Sequence, residues 1–319
     1  MTRSLTPLPT ALGTHFSVAA AAGRGVKQGR LRAADLETPF YGVRMLVGAV
    51  ADDDEPGPEE IMRRHAHAYA PRMRDVDFLS HSTAAAVHNA PLPFATDPRV
   101  HVSTVRPARA PRTRGVIGHS ASQAVPVVMV SGMRVSDPAA TWAMLGESLD
   151  VPWLVAVGDY FCRAWREGYG RPNAGRAPLA TPSQLADAVN SCRRVGAVKL
   201  REALHFVRCD SWSPRESLTR HLLVTNGLPE PVLNNDFYDE NGCHLACIDM
   251  AYPEYKVAVE YQGRVHGVQY SRDIERIESL RADGWIVVQV SSELFIEPGE
   301  LIRRVRGALC ARGWQGWPG

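Results

Sequence analysis

Apolar and polar positions change their period several times along the chain. From Glu59 to Arg72 the spacing is helical, Asp77 to Leu79 is strand-like, and Ser82 to His88 predicts a short helix with Ser80-His81-Ser82 as its cap. Val100 to Val105, Gly115 to His119, Val127 to Val130 and Met133 to Val135 are Val-rich runs bounded by Pro and Gly, which predicts short strands. Helical spacing resumes at Pro138 to Leu149 and Val151 to Trp165. Thr181-Pro182-Ser183-Gln184 then offers an N-cap, a proline at the first helical position and a glutamine at the third, so a helix should run from Pro182 to about Ser191, partnered by Ala197 to Val207.

Ser213-Pro214-Arg215-Glu216 repeats the capping-box pattern ahead of Leu218, Leu222 and Leu223, and Gly227 and Pro229 close that helix. Leu245 to Ala251 and Lys256 to Gln262, joined by Pro253-Glu254-Tyr255, read as an antiparallel hairpin. Ser271 to Asp283 is helical, Trp285 to Val290 is a fourth strand, and Glu297 to Leu309 is a last helix. The C-terminal order is thus helix, three strands, helix, strand, helix, an α/β sandwich.

Near the N-terminus, Ser17 to Ala22 and Gln28 to Leu36 read as two short helical pieces split by Gly23-Arg24-Gly25, a pattern of helix-turn-helix or winged-helix type. Arg30 and Arg32 on the second piece are candidate groove contacts. Asp52 to Pro58 is acidic and punctuated by Pro and Gly, and Arg166 to Ala180 is a Gly/Pro/Arg/Asn-rich connector. These breaks divide the chain into a helical segment at 1–52, a mixed α+β region at 59–165, and a helical lead-in plus α/β domain at 181–319. The fold class is multi-domain α/β.

The 319 residues, 45% hydrophobic and 22% charged, are enough to bury a core in each part, which excludes disorder as the main state. No apolar stretch approaches the roughly 18 to 20 residues of a membrane span. The opening residues are broken by Pro7 and Pro9 and resemble no signal peptide, and six scattered cysteines do not form a disulfide framework, so a reduced, cytoplasmic protein is expected. The formal net charge of +2 neither requires nor excludes a polyanionic partner. Lysine occurs only at Lys27, Lys199 and Lys256, so the positive charge is almost all arginine, which suits phosphate forks but is also what a GC-rich genome produces. Arg106, Arg109, Arg112 and Arg114 share one Pro-interrupted loop.

The chemistry concentrates in the hairpin. Side chains alternate along its second strand, so Val257, Val259 and Tyr261 face one way and Ala258, Glu260 and Gln262 the other. A carboxylate beside Val and Ala must be paired or hold a metal, and Asp249, inside Cys247-Ile248-Asp249-Met250-Ala251, meets the same requirement. Neighbouring strands let the two acids converge, and Mg²⁺ or Mn²⁺ with oxygen ligands would resolve their repulsion.

Ile248-Asp249-Met250-Ala251-Tyr252-Pro253, then Val259-Glu260-Tyr261-Gln262-Gly263-Arg264-Val265-His266, an Arg/Asp/Glu helix and Gly284-Trp285-Ile286-Val287-Val288 together resemble the very-short-patch-repair endonuclease-like domain of actinobacteria, of the PD-(D/E)XK nuclease superfamily. The resemblance covers roughly Cys209 to Arg312. More loosely, Phe16 to Met45, Ser80-His81-Ser82 and Asp137 to Thr141 look like the AbiEi-type antitoxin region that often precedes such a domain. The resemblance implies Asp249 and Glu260 as the acids of the two motifs, holding Mg²⁺, and Glu216 as a helix acid that assists at the metal directly or through water. His266 is then a general base, general acid or phosphate contact. Gln262 stands where many members carry a lysine. It can orient a water but supplies no charge. Arg264, Arg272 and Arg276 are the nearby cations for a DNA backbone.

The resulting expectation is a Mg²⁺-dependent endonuclease or nickase acting on double-stranded DNA. The alternatives are a DNA-binding regulator of antitoxin type whose nuclease fold is catalytically weak, and an interaction module that keeps the acids as hydrogen-bond acceptors. Cys243-His244-Leu245-Ala246-Cys247 lacks the second pair that structural zinc needs, and the imidazoles of His65 and His67 point to different helix faces.

Overall fold

The computed structural model describes residues 5–47, 57–169, 171–262 and 268–316, with the side chains of 268–273 excepted. The chain forms two compact units, Met1–Ser148 and Leu149–Gly319, mixed α/β in character and built on three sheets. Among the described residues no helix is long and apolar enough to cross a membrane, and all six cysteines are free thiols.

The first unit opens with β1 (His15–Ser17) and α1 (Val18–Gly23), whose N-cap Ser17 accepts a hydrogen bond from the Ala20 amide. The helix expected over Gln28 to Leu36 does not form. Arg30–Arg32 makes a single 3₁₀ turn, and the chain passes straight into β2 (Leu36–Glu37) and its antiparallel partner β3 (Val43–Leu46). Gly25 and Gly29 and the lack of any capping side chain at Gly29 leave no start for a longer helix. The small sheet has the order β1-β3-β2.

After it come α2 (Pro58–Tyr69), β4 (Asp77–Leu79), α3 (His81–Val87), β5 (Val100–Val105), β6 (Val116–Ala121), β7 (Val127–Val130), β8 (Met133–Ser136) and α4 (Pro138–Leu145). The strands form a mixed sheet in the order β6-β5-β4-β8-β7. Its core is drawn from Leu79, Val100, Val102 and Val135 on the sheet and Ala66, Tyr69, Ala84 and Val87 on α2 and α3. Gly118 on β6 is required by a close approach, because a Cβ there would lie 2.1 Å from the Pro111 carbonyl oxygen of the arginine-rich loop.

The second unit begins with α5 (Val151–Cys162), which packs against α7 (Ala197–Phe206) and α8 (Pro214–Thr225). Between α5 and α7 lies α6 (Pro182–Asn190), where the Thr181 side chain accepts from the Gln184 amide and the Gln184 side chain accepts from the Thr181 amide, as its sequence predicts. The meander β9 (Val232–Tyr238), β10 (His244–Tyr252) and β11 (Val257–Tyr261) follows, then α9 (Val268–Ala282), β12 (Ile286–Val290), α10 (Ser292–Phe295) and α11 (Pro298–Ala311). This is the expected element order, with α10 as a short addition.

Sheet order is β12-β11-β10-β9, with β12 parallel to β11 and the rest antiparallel. One face packs Val257, Val259 and Met250 against Leu223 of α8 and Leu301, Val305 and Leu309 of α11. The other packs Ala251, Ala258 and Ile248 against Leu280 of α9 and Trp285. The alternation predicted for β11 is therefore realised, and β11 lies between two covered faces with Glu260 buried in it.

Candidate functional site

The register Met250↔Val259, extended by one step, sets Asp249 opposite Glu260. Two like charges across a strand pair repel, so something local must hold them. On the Asp249 side the strand is irregular. Ile248 packs with Ala251 and Ala258, whereas Met250 packs on the opposite face, although residues two apart on a regular strand share a face. The alternation breaks at Asp249, and the freed carboxylate turns to accept the Tyr261 amide through Oδ2 at 3.0 Å.

Glu260 is 1% exposed. Its Oε2 accepts from Arg276 Nη1 of α9 at 2.6 Å. Its Oε1 is buried and has no hydrogen-bond partner among the described residues. Burial first, and the charge of Asp249 second, push the Glu260 carboxyl up to about 8 against the pull of Arg276. An orphaned carboxylate oxygen beside a second carboxylate is a donor set that a hard divalent cation satisfies, so these residues fit Mg²⁺ or Mn²⁺.

Glu216 does not complete the set directly. Among the described residues its carboxylate does not join Asp249 and Glu260 in a group within 4.8 Å. Instead Oε2 accepts from the Trp212 amide at 2.9 Å and from Asn234 Nδ2 at 2.6 Å. Half of the predicted capping box is present: Ser213 Oγ accepts the Glu216 amide, while the glutamate reaches one residue past the cap. Burial raises its carboxyl above the ordinary range. Asn234 sits on β9 at the step opposite Asp249 in the β9–β10 register, with a left-handed φ of 45°. Glu216 thus reaches the neighbourhood of the pair through Asn234.

Gln262 follows β11 directly, is exposed, and donates its backbone amide to the Val290 carbonyl at 2.9 Å. Arg276, expected to contact DNA, is committed to Glu260 and to the Cys247 carbonyl at 3.3 Å, because α9 covers the face on which Glu260 lies. Arg272 belongs to α9 one turn earlier; its side chain, with the whole of Arg264 and His266, lies outside the described residues.

On the other flank Arg171, from the Gly/Pro-rich connector, donates to Asp236 Oδ2 at 2.6 Å, to the Asn234 carbonyl at 3.0 Å and to Cys247 Sγ at 3.5 Å. Asp236 also meets His244 Nε2 at 3.1 Å, and the Arg171 guanidinium stands 4.8 Å from the Trp212 ring centroid. The sequence reading missed Arg171 and Asp236. Only the cation-rich composition of 166–180 hinted at them.

In the first unit Arg30 is not available to a groove. It forms a two-point ion pair with Asp35 at 2.8 and 2.7 Å and donates to the Thr6 carbonyl at 2.6 Å, whereas Arg32 is exposed on the same 3₁₀ turn. Arg106, Arg109 and Arg112 line one concavity with Ser120. Among the described residues the side chains that gather three metal-capable ligand atoms are His81, His101 and His119, a set that no local spacing announced.

No family model matches the chain. Two curated proteins from two strains of Mycobacterium tuberculosis, described as uncharacterized protein MT2308 and uncharacterized protein Rv2248, are each 28% identical to it over 230 residues, which is 70% of this chain and 78% of theirs.

Proposed function

We propose that the second unit is a metal-dependent endonuclease or nickase that hydrolyses phosphodiester bonds of double-stranded DNA. The observation that carries this reading is the buried, unpartnered Oε1 of Glu260 beside Asp249. The succession α8-β9-β10-β11-α9-β12, with a mixed sheet covered on both faces, supports the PD-(D/E)XK resemblance that motivates it.

In this reading Asp249 and Glu260 hold Mg²⁺ or Mn²⁺, and Glu216 supports the site through Asn234. A divalent ion so held supplies a Lewis acid for a phosphoryl oxygen and an acidified water. Gln262, exposed at the end of β11, orients the nucleophile by hydrogen bonds, and His266 moves the proton or contacts phosphate. Arg264 and Arg272 bind the DNA backbone at this site, and the exposed Arg32 is a separate backbone contact on the first unit. Arg276 keeps the Glu260 carboxylate in place rather than touching DNA.

The test is nicking of supercoiled plasmid with Mg²⁺ or Mn²⁺ by the wild type, Asp249→Asn and Glu260→Gln. Loss of about 100-fold or more in both variants is expected, in the range for removing a group that stabilises transition-state charge. Cleavage indifferent to both substitutions eliminates the assignment.

The Arg276–Glu260 ion pair favours a second reading, a DNA-binding regulator of antitoxin type with a degenerate nuclease fold. There an internal cation stands in for the metal and Gln262 leaves the lysine position uncharged. Salt-sensitive duplex binding without metal-dependent cleavage selects it.

A further inference from the structure

The first unit contains a cluster that the acid pair does not use. His81 opens α3, His101 lies on β5 and His119 on β6. The parallel register His101↔Ile117 and Ser103↔His119 offsets the last two by two residues, so they share a face of the sheet. The helix brings His81 over both. Its ring stacks on that of His119 with centroids 3.8 Å apart, and His101 Nδ1 lies 3.0 Å from His119 Nε2.

One ligand nitrogen of each histidine lies within 4.8 Å of the others. Tetrahedral coordination at about 2.0–2.1 Å per bond separates donors by about 3.3 Å, so a small adjustment brings the set to bonding geometry. The His81 ring is also held from behind. His81 Nδ1 meets Ser80 Oγ at 3.0 Å, and Ser80 Oγ accepts from Ser103 Oγ at 2.7 Å. This hydroxyl chain orients the His81 ring with Nε2 3.9 Å from Glu147 Oε2, which brings a negative charge to the rim of the cluster.

His81 adopts φ of 53°, a left-handed conformation uncommon for any residue with a side chain. Strain of that kind gathers where a side chain must be aimed.

We propose that His81, His101 and His119 bind one divalent transition-metal ion of the zinc class, with Glu147 as the neighbouring carboxylate that balances its charge. Three imidazoles select Zn²⁺, Co²⁺ or Ni²⁺ over Mg²⁺, which prefers all-oxygen sites, so this centre is chemically distinct from the Asp249–Glu260 pair. An ion here ties α3 to β5 and β6.

The test uses the whole 319-residue chain, stripped with EDTA and titrated with Co²⁺ and Zn²⁺ by visible absorption and calorimetry. One equivalent giving the strong visible band of four-coordinate, nitrogen-ligated Co²⁺ is expected from the histidines, distinct from the weak absorption of any Co²⁺ held by the all-oxygen Asp249–Glu260 pair. His119→Ala, His81→Asn and Glu147→Gln should each weaken uptake by at least the roughly 10- to 100-fold that loss of even an outer partner costs. Asparagine tolerates positive φ, so His81→Asn removes the ligand without disturbing the backbone, and Glu147 is exposed enough that its substitution leaves folding intact. Absence of that band in the wild type, or the band at full strength in all three variants, overturns the proposal.

Discussion

Arg276 and Glu260 form an ion pair of 2.6 Å in which the carboxylate is almost wholly enclosed and the guanidinium is about a third exposed. The arginine therefore competes with any cation for Glu260, and its reach from α9 decides how tightly one binds. Arg276→Gln should tighten Mn²⁺ binding by more than tenfold, because it removes a positive charge a few ångströms from the ligand oxygens, where two unit charges about 4 Å apart interact by about 4 kcal/mol at an effective dielectric near 20. Calorimetric titration with Mn²⁺ measures this. Weaker binding in the variant would mean that the guanidinium positions the acids instead of opposing their ligand.

A second pair lies in the helical layer. Asp159 of α5 is fully buried, accepts the Arg208 amide at 2.7 Å, and stands 3.4 Å from Arg220 of α8. Burial raises its carboxyl to about 6, and an arginine at that distance only partly opposes the rise. A carboxyl raised on folding binds its proton more tightly in the native state. Its contribution is full below the unfolded value near 3.9 and is lost as pH rises through about 6. Relative to Asp159→Asn, the wild type should lose on the order of 2–3 kcal/mol between pH 4 and pH 7. Urea unfolding of both proteins across that range provides the comparison, and parallel pH profiles would contradict it.

Arg220 itself is 0% exposed and donates to Glu230 Oε1 at 2.8 Å and to the Phe206 carbonyl. Arg220→Met should destabilise the second unit by about 3–5 kcal/mol, the scale for breaking a buried pair from one side. Adding Asp159→Leu should recover part of the loss, because the uncompensated carboxyl goes with it. Additive losses in the double variant would show that packing, not charge, sets the effect.

Gly118→Ala should destabilise the first unit by about 1–3 kcal/mol, the usual range for overpacking, because its Cβ would sit 2.1 Å from the Pro111 carbonyl oxygen. The obstacle is backbone and cannot rotate away. Thermal unfolding reads the loss, and an unchanged midpoint would mean that the loop carrying Pro111 moves freely.

The helices with explicit end signals were legible in the sequence. Thr181 and Gln184 state their own start, and the β10–β11 hairpin follows from two β-rich runs around Pro253. Asp249 and Glu260 stood out because a charge in an apolar strand needs a reason. Long-range placement was not legible. Arg30 was read as a groove contact because its tie to Asp35 depends on a 3₁₀ turn where a helix was expected. Glu216 was read as closing a capping box on Ser213, but Asn234 arrives from β9 and Trp212 offers an amide one step earlier. The histidines at 81, 101 and 119 lie in three separate elements, and only the pairing of β5 with β6 and the lie of α3 assemble them.

The break in alternation at Asp249 gives the hairpin a built-in reporter. Its Oδ2 does for the Tyr261 amide what a neighbouring backbone carbonyl does elsewhere in the ladder. A carboxylate drawn toward a cation must loosen its hold on that hydrogen. Deuterium uptake at the Tyr261 amide therefore tracks occupancy of the acid pair, without any substrate and without touching either acid.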